Sequence, residues 1–272
     1  MTAASVVTVV QARCGSSRLP RKVLLPLGGA TVLERMLERV TRAERCGTLV
    51  VATTTAPSDD DVEALCRRAG VHCYRGHPED LLDRHYQVAR ALGACHVVKI
   101  PSDCPLIDPA VIDAVIGMYL EARGRWDYVS NLHPATYPDG NDVEICSMAA
   151  LEHAWRVATR PYEREHTTPF LWEHPELFRI GNLAWETGLD LSRSHRVVLD
   201  YSEDYEVIRR VFDALSPTRF GVADVVRYLD AHPELATLNA HHRGVTWYRH
   251  HLAELRTVTT AAPPLETQEI YP

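Results

Sequence analysis

Two periods of apolar residues alternate along the first half of the chain. Val6, Val7, Val9 and Val10 form a short β-branched run, and Thr48 to Thr54, Val71 to Tyr74 and Cys95 to Ile100 are runs of the same character. Each predicts a buried strand. Between them the spacing becomes helical. Val32, Leu33, Met36, Leu37 and Val40 share one face, with Thr31 and Glu34 at capping-box spacing ahead of them. Ser58 and Asp61 have the same spacing before a second helix that Gly70 closes, Leu81 to Leu92 is a third, and Asp108-Pro109 opens a fourth. Strand, helix, strand, helix, strand predicts an α/β protein with a doubly wound, mostly parallel sheet and right-handed crossovers. Such sheets bind ligands beyond the carboxyl ends of their strands.

The second half is less regular. Trp126 to Asn131, Phe178 to Leu183 and His195 to Leu199 read as strands, and Y-P-D-G-N-D-V-E-I-C-S is a turn feeding another. Helices are predicted from Ala149 to Ala158, Glu203 to Leu215 and Val222 to Leu229, with a polar P-Y-E-R-E-H-T-T-P segment after the first. No repeat or clean linker interrupts the chain. One domain over 1–257 is expected: a ligand-binding half (1–125), an inserted region (126–200) and C-terminal helices (201–257). The polar, proline-bearing tail 258–272 is expected to be loosely held.

An apolar fraction of 46% over 272 residues allows a sizeable core, and a net charge of −7 without a basic stripe argues against nucleic acid as a partner. Seven cysteines without a C-x-x-C pair point to reduced thiols, hence to a cytoplasmic location. M-T-A-A-S-V-V has no charged leader and no stretch reaches membrane-spanning length, so no membrane partner is expected.

Against this acidic background the cations of one loop stand out. The first strand opens into Ala12, Arg13, Cys14, Gly15, Ser16, Ser17, Arg18 and, shortly after, Arg21 and Lys22. Small residues let backbone N–H groups approach an anion, and the cations supply the charge a polyphosphate needs. The plainer reading is a solvated basic loop. Asp103, in S-D-C-P at the end of the fourth strand, and Asp200, ending V-V-L-D, are carboxylates of the kind Mg²⁺ prefers alongside phosphate oxygens. Each alone could be a surface aspartate or a helix cap. Together with the loop they form a triphosphate-and-metal constellation, and nucleotidyl transfer requires little more than positioning and charge neutralisation.

The segments Q-A-R-C-G-S-S-R-L-P-R-K-V-L, S-D-C-P-L-I-D-P, D-V-E-I-C-S, R-E-H-T-T-P and V-L-D-Y-S-E-D resemble the cytidylyltransferase family that includes the acylneuraminate and 3-deoxy-manno-octulosonate cytidylyltransferases. The spore-coat polysaccharide biosynthesis branch is the nearest match, over about residues 6 to 215. The resemblance implies a Rossmann-like nucleotidyltransferase fold, CTP as donor, Mg²⁺, pyrophosphate release, a sugar-acid, phosphonate or other small acidic acceptor, and a homodimer. Carried over by position, Arg13, Arg18, Lys22 and Ser17 would bind the triphosphate, alongside Ala12, Gly15, Ser16 and Ser102. Thr53, Thr54 and Asp60 would lie near cytosine and ribose, with Arg75 and Asp83 bordering the nucleotide. Asp103 and Asp200 would hold the metal. Asn131, Asp142, Glu144 and Arg164 are the acceptor-binding candidates, with Asp139 and Asn141 beside them, and His166 would assist deprotonation of the attacking oxygen.

Each of these has a structural alternative: Glu144 as an outward strand residue, Arg164-Glu165-His166 as a salt-bridged cap, Asp83–Arg84 as a helix-face pair. Cys14 departs from the larger apolar residue of relatives and reads as a small packed side chain. His241-His242 and His250-His251 read as solvated or interface histidines with no carboxylate cluster around them, and the five tryptophans as scattered core residues without a stacking platform. The alternative functions are a nucleotide-sugar-dependent glycosyltransferase, which releases no pyrophosphate, and a catalytically silent nucleotide-binding subunit. Both fit the dense cation loop and paired aspartates less well.

Overall fold

A computed structural model describes residues 5–244 and 247–257; the expected loose tail, 258–272, lies outside the described residues. In chain order the strands are β1 (Val6–Gln11), β2 (Pro26–Leu27), β3 (Ala30–Thr31), β4 (Thr48–Thr54), β5 (His72–Gly76), β6 (His96–Pro101), β7 (Tyr128–Ser130), β8 (Glu144–Ser147) and β9 (Ile180–Asn182). The helices are α1 (Val32–Val40), α2 (Asp60–Ala69), α3 (Leu81–Ala91), α4 (Pro109–Glu121), α5 (Met148–Val157), α6 (Pro161–His166), α7 (Pro169–Trp172), α8 (Ser202–Leu215), α9 (Val222–Ala231) and α10 (Pro233–Leu238).

Apart from the small β2–β3 ribbon, the strands form one seven-stranded sheet in the order β5-β4-β1-β6-β8-β7-β9. Only β8 runs against its neighbours, so the sheet is mostly parallel, as the alternating pattern predicts. Burial on both faces explains the uninterrupted apolar runs. Val10, Val51, Val98 and Ile100 pack under α1, α2 and α4, whereas Val7, Val9, Val50, Ala52 and Val97 pack under α3, α5 and α7. A third cluster joins α8, α9 and α10 to Leu27, Leu106, Val197 and Leu199. The chain leaves β1 for β4 on one side and later returns to β6 on the other. This reversal opens a crevice beyond the ends of β1 and β6.

Several local expectations hold in detail. Thr31 and Glu34 complete a capping box, Asp108 caps α4 with Pro109 in its first turn, and Gly70 closes α2 at φ 68°. Others are corrected. Ser58 does not cap α2: a 3₁₀ turn over Pro57–Asp59 intervenes and Asp59 is the N-cap residue. Its carboxylate is occupied by Cys14 N at 2.7 Å and the Thr54 hydroxyl. The expected strand at His195 to Leu199 is a single bridge between Asp139 and Arg196, because its backbone bonds are divided between the Asp139 turn and Asp103 O (Leu199 N, 2.8 Å). Strands expected at Trp126 to Asn131 and Phe178 to Leu183 shorten to β7 and β9. The short, proline-initiated helices α6, α7 and α10 carry too few residues to show a period.

One buried ion network anchors the C-terminal helices to the sheet edge. Arg196, only 3% exposed, donates to both Asp204 carboxylate oxygens (2.8 and 2.9 Å) and to Asp139 Oδ2 (3.0 Å). Asp204 also accepts from the backbone N–H groups of Asp200 and Tyr201, each at 3.0 Å, and so fixes where the Asp200 carboxylate sits. Removing one member strands the others without compensation. Asp204→Ala is expected to destabilise the fold by roughly 3–5 kcal/mol in urea unfolding; a loss below about 1 kcal/mol would show that the network is not structural.

Candidate active site

The loop after β1 folds on its own backbone. Cys14 O accepts from Ser16 N and Arg21 N, both at 3.0 Å, and Ser16 Oγ accepts from Leu19 N at 3.3 Å. Cys14 is packed inside, its thiol pushed up to about 11 by burial and by Asp59, so it is a filler rather than a nucleophile. Gly15 is exposed, with open space where a Cβ would stand, and Ser17 and Arg18 are exposed beside it. Arg21 turns outward at φ 58° to pair with Asp61. This kink sends the next side chain, Lys22, inward.

Lys22 reaches the crevice floor. Its Nζ lies 3.0 Å from Asp103 Oδ2, 2.9 Å from Asp200 Oδ1 and 2.7 Å from Leu199 O. Arg18 Nη2 reaches the same Asp200 oxygen at 2.7 Å. Burial alone would lower the Lys22 pKa, but Asp103 and Asp200 outweigh it and hold the ammonium above its ordinary value. The Asp200 carboxyl, which burial alone would raise, is held below the usual carboxylate range by Lys22, Arg18 and Arg196. Residues nearly a hundred positions apart thus converge on one atom.

Arg18, Asp103 and Asp200 line one part of a cavity of about 560 Å³ that also takes Lys99, Asn131, Asp139, Asn141, Asp142, Glu144 and His166 into its walls. Asn131 donates to Asn141 O (2.7 Å) and accepts from Val143 N (3.0 Å), which ties β7 to the acidic turn. Glu144 is buried against Lys99 and the Tyr128 hydroxyl (2.6 Å), and Lys99 holds its carboxyl low despite burial. Asp139 and Asp142 are driven the other way, to about 7 and about 8, by burial and by the carboxylates around them. His166 stacks on Trp247 with ring centroids 3.9 Å apart, and burial lowers its imidazole to about 3.

Other candidates stand apart from this cavity. Arg164, expected to capture an acceptor anion, lies outside it and clamps Asp80 through two nitrogens (2.9 and 2.6 Å) while donating to Trp155 O. Asp83 accepts from Trp155 Nε1 (2.8 Å) and Gln87. Arg75 joins Asp60 and Glu63 and donates to Thr54 O and Ala56 O, bracing the β4 and β5 ends. Thr53 is buried with its hydroxyl unpartnered, Ala12 and Ser102 are buried, and Arg13 is half-buried, near enough to His166 to act on its charge.

Sequence reasoning missed the aromatic side of the cavity. Trp172 and Trp247 are not scattered: their centroids lie 6.2 Å apart, Tyr248 stands 4.5 Å from Trp247 and 5.7 Å from Trp172, and His133 lies tilted against Trp172 at 4.4 Å. His241 and His242 do have a carboxylate nearby, Glu203, with the three sets of ligand atoms within 4.8 Å of one another, and His242 stacks on Tyr201. Of the second pair, His251 meets the Glu254 carboxylate at 3.0 Å.

A parallel α/β sheet with a cationic loop and paired carboxylates at its switch point defines a nucleotide-dependent transferase of the α/β class. The family model described as cytidylyltransferase matches residues 7–227, and the chain belongs to that family. It is 32% identical over 242 residues to an uncharacterized protein of Methanocaldococcus jannaschii, covering 88% of this chain and 96% of that one. It is 29% identical to the spore coat polysaccharide biosynthesis protein SpsF of Bacillus subtilis over 85% of this chain and 97% of that one. A solved cytidylyltransferase from Leptospira borgpetersenii superposes with a TM-score of 0.82 at 32% identity, covering 86% of this chain and 97% of that one. Among the described residues no helix is long and apolar enough to cross a membrane.

Asp103 and Asp200, which meet on a single cationic atom, are hard oxygen donors of the kind a divalent ion takes. Lys22→Met leaves the two carboxylates facing one another, and a divalent ion should then replace the lost ammonium. Its melting temperature is expected to rise more in millimolar Mg²⁺ over EDTA than that of the unaltered protein; an equal or smaller rise contradicts the shared cation site.

Proposed function

We propose that this protein is a Mg²⁺-dependent cytidylyltransferase that moves CMP from CTP to an oxygen of a sugar-acid or related small acceptor, releasing pyrophosphate. The observation that carries the reading is the meeting of Lys22 Nζ with Asp103 and Asp200 at 3.0 and 2.9 Å, with Arg18 on the same carboxylate. Asp103 and Asp200 would hold the ion, which supplies charge neutralisation to the triphosphate and fixes its position. Lys22, Arg18 and Arg13, each on the loop or at its end, pair with phosphate oxygens as the nucleotide arrives. Arg18 is open to solvent for this, with 43% of its side chain exposed. The backbone around Gly15 lets a phosphate come close.

The acceptor enters the cavity between the acidic turn and the aromatic wall. Its oxygen forms a bond to the α-phosphorus as the bond from that phosphorus to the bridging oxygen breaks, and pyrophosphate carries the electron pair away. The low basicity of His166 makes it a neutral wall rather than the base expected from its motif. That favours an attacking oxygen already ionised, or one that loses its proton to solvent.

With CTP, Mg²⁺ and a panel of ulosonic acids, amino sugar phosphates, phosphonates and polyol phosphates, coupled pyrophosphate detection should reveal turnover with one acceptor class. Asp103→Ala is expected to lower that turnover on the order of 10²–10³-fold with the fold retained. Unchanged turnover would end the metal assignment, and nucleotide binding without pyrophosphate from any acceptor would end the transferase reading.

A further inference from the structure

Most charges around the cavity are paired off; among the described residues that line it, the exposed Arg193 and the half-buried Asp142 are not. Lys22 and Arg18 take up Asp103 and Asp200, Lys99 takes up Glu144, and Arg196 takes up Asp139. Asp142, on the turn that feeds β8, lines the same space, and among the described residues its carboxylate has neither an ion-pair nor a hydrogen-bond partner. Asp142 is half-buried, and a carboxylate so placed without a partner favours a ligand that supplies the opposite charge. Burial and the nearby Asp139, Asp103 and Glu144 push its carboxyl up to about 8, so a bound cation would be needed to hold it ionised near neutral pH.

The opposite wall is electron-rich. Trp172, Trp247 and Tyr248 stand within 4.5–6.2 Å of one another. Among the described residues no arginine or lysine lies over any of these three rings, although other aromatic rings of the chain carry one. The two histidines in the wall, His133 and His166, are lowered by burial to about 4 and about 3, so they are uncharged near neutral pH. His166 covers one face of Trp247 and His133 lies against Trp172, but all three rings line the cavity, and aromatic rings beside an unpaired carboxylate are the chemistry that binds an alkylammonium.

We propose that the acceptor carries a protonated amino group, held between the Asp142 carboxylate and the Trp172–Trp247–Tyr248 wall while its reacting oxygen faces Asp103 and Asp200. This rests on the reading of the cavity as the acceptor site. It narrows the acceptor to amine-bearing sugar derivatives or aminoalkyl phosphonates. N-acylated or deaminated counterparts lack the charge and are discriminated against.

Isothermal titration with matched pairs tests this without turnover: 2-aminoethylphosphonate against 2-hydroxyethylphosphonate, and glucosamine 6-phosphate against glucose 6-phosphate. At least one amine is expected to bind about tenfold or more tightly than its partner. Asp142→Asn should bring that ratio close to one, and Trp247→Leu should reduce it, both with near-native melting temperatures. Equal binding within both pairs, no detectable binding of either amine, or a preference that survives Asp142→Asn overturns the proposal. Selective amine binding without pyrophosphate release leaves it standing while removing the transferase reading; pyrophosphate release with no amine preference does the reverse.

Discussion

Two buried cations share a set of carboxylates that the backbone would otherwise keep apart, and the site depends on that sharing. Lys22 comes from the loop after β1, Asp103 from the end of β6, and Asp200 from the segment before α8. Arg196 grips Asp204 and Asp139 and lies 3.6 Å from Asp200. Asp200 therefore stands between an ammonium on the catalytic side and a guanidinium on the structural side. Like charges on Asp103, Asp139 and Asp200 could not be held this close in a partly dry crevice without both cations. Under the proposed function, an arriving polyphosphate would compete for Lys22 and Arg18 and thereby free the two carboxylates.

Much of this was legible in the sequence for a simple reason. Strands buried on both faces leave continuous apolar runs, and the residue types just after each run fall on one edge of a parallel sheet. Val6 to Val10, Thr48 to Thr54 and Cys95 to Ile100 therefore announced both the sheet and the place of Arg18, Lys22 and Asp103. Asp200 was found by the same logic, although the run before it forms no strand: its backbone bonds go to Asp139 and Asp103 instead of to a ladder.

What the sequence concealed is pairing at long range. Arg164 and Asp80 share no local pattern, yet their fork-like contact removes Arg164 from the cavity. Trp172 and Trp247 come from a four-residue helix and a C-terminal turn, neither long enough to show a period, and only the fold brings them to one wall. Lys99 in a strand between apolar neighbours was similarly silent until Glu144 appeared opposite it in the β6–β8 register. The first half follows a period that can be read, whereas the walls of the cavity contributed by the second half come largely from turns and short helices.

The most direct measurement is anomalous diffraction from crystals soaked with CTP and Mn²⁺. A manganese peak beside Asp103 and Asp200, with Lys22 Nζ moved onto phosphate oxygens, is the expected result. A peak elsewhere on the molecule, or Lys22 still seated between the two aspartates with nucleotide bound, would contradict it.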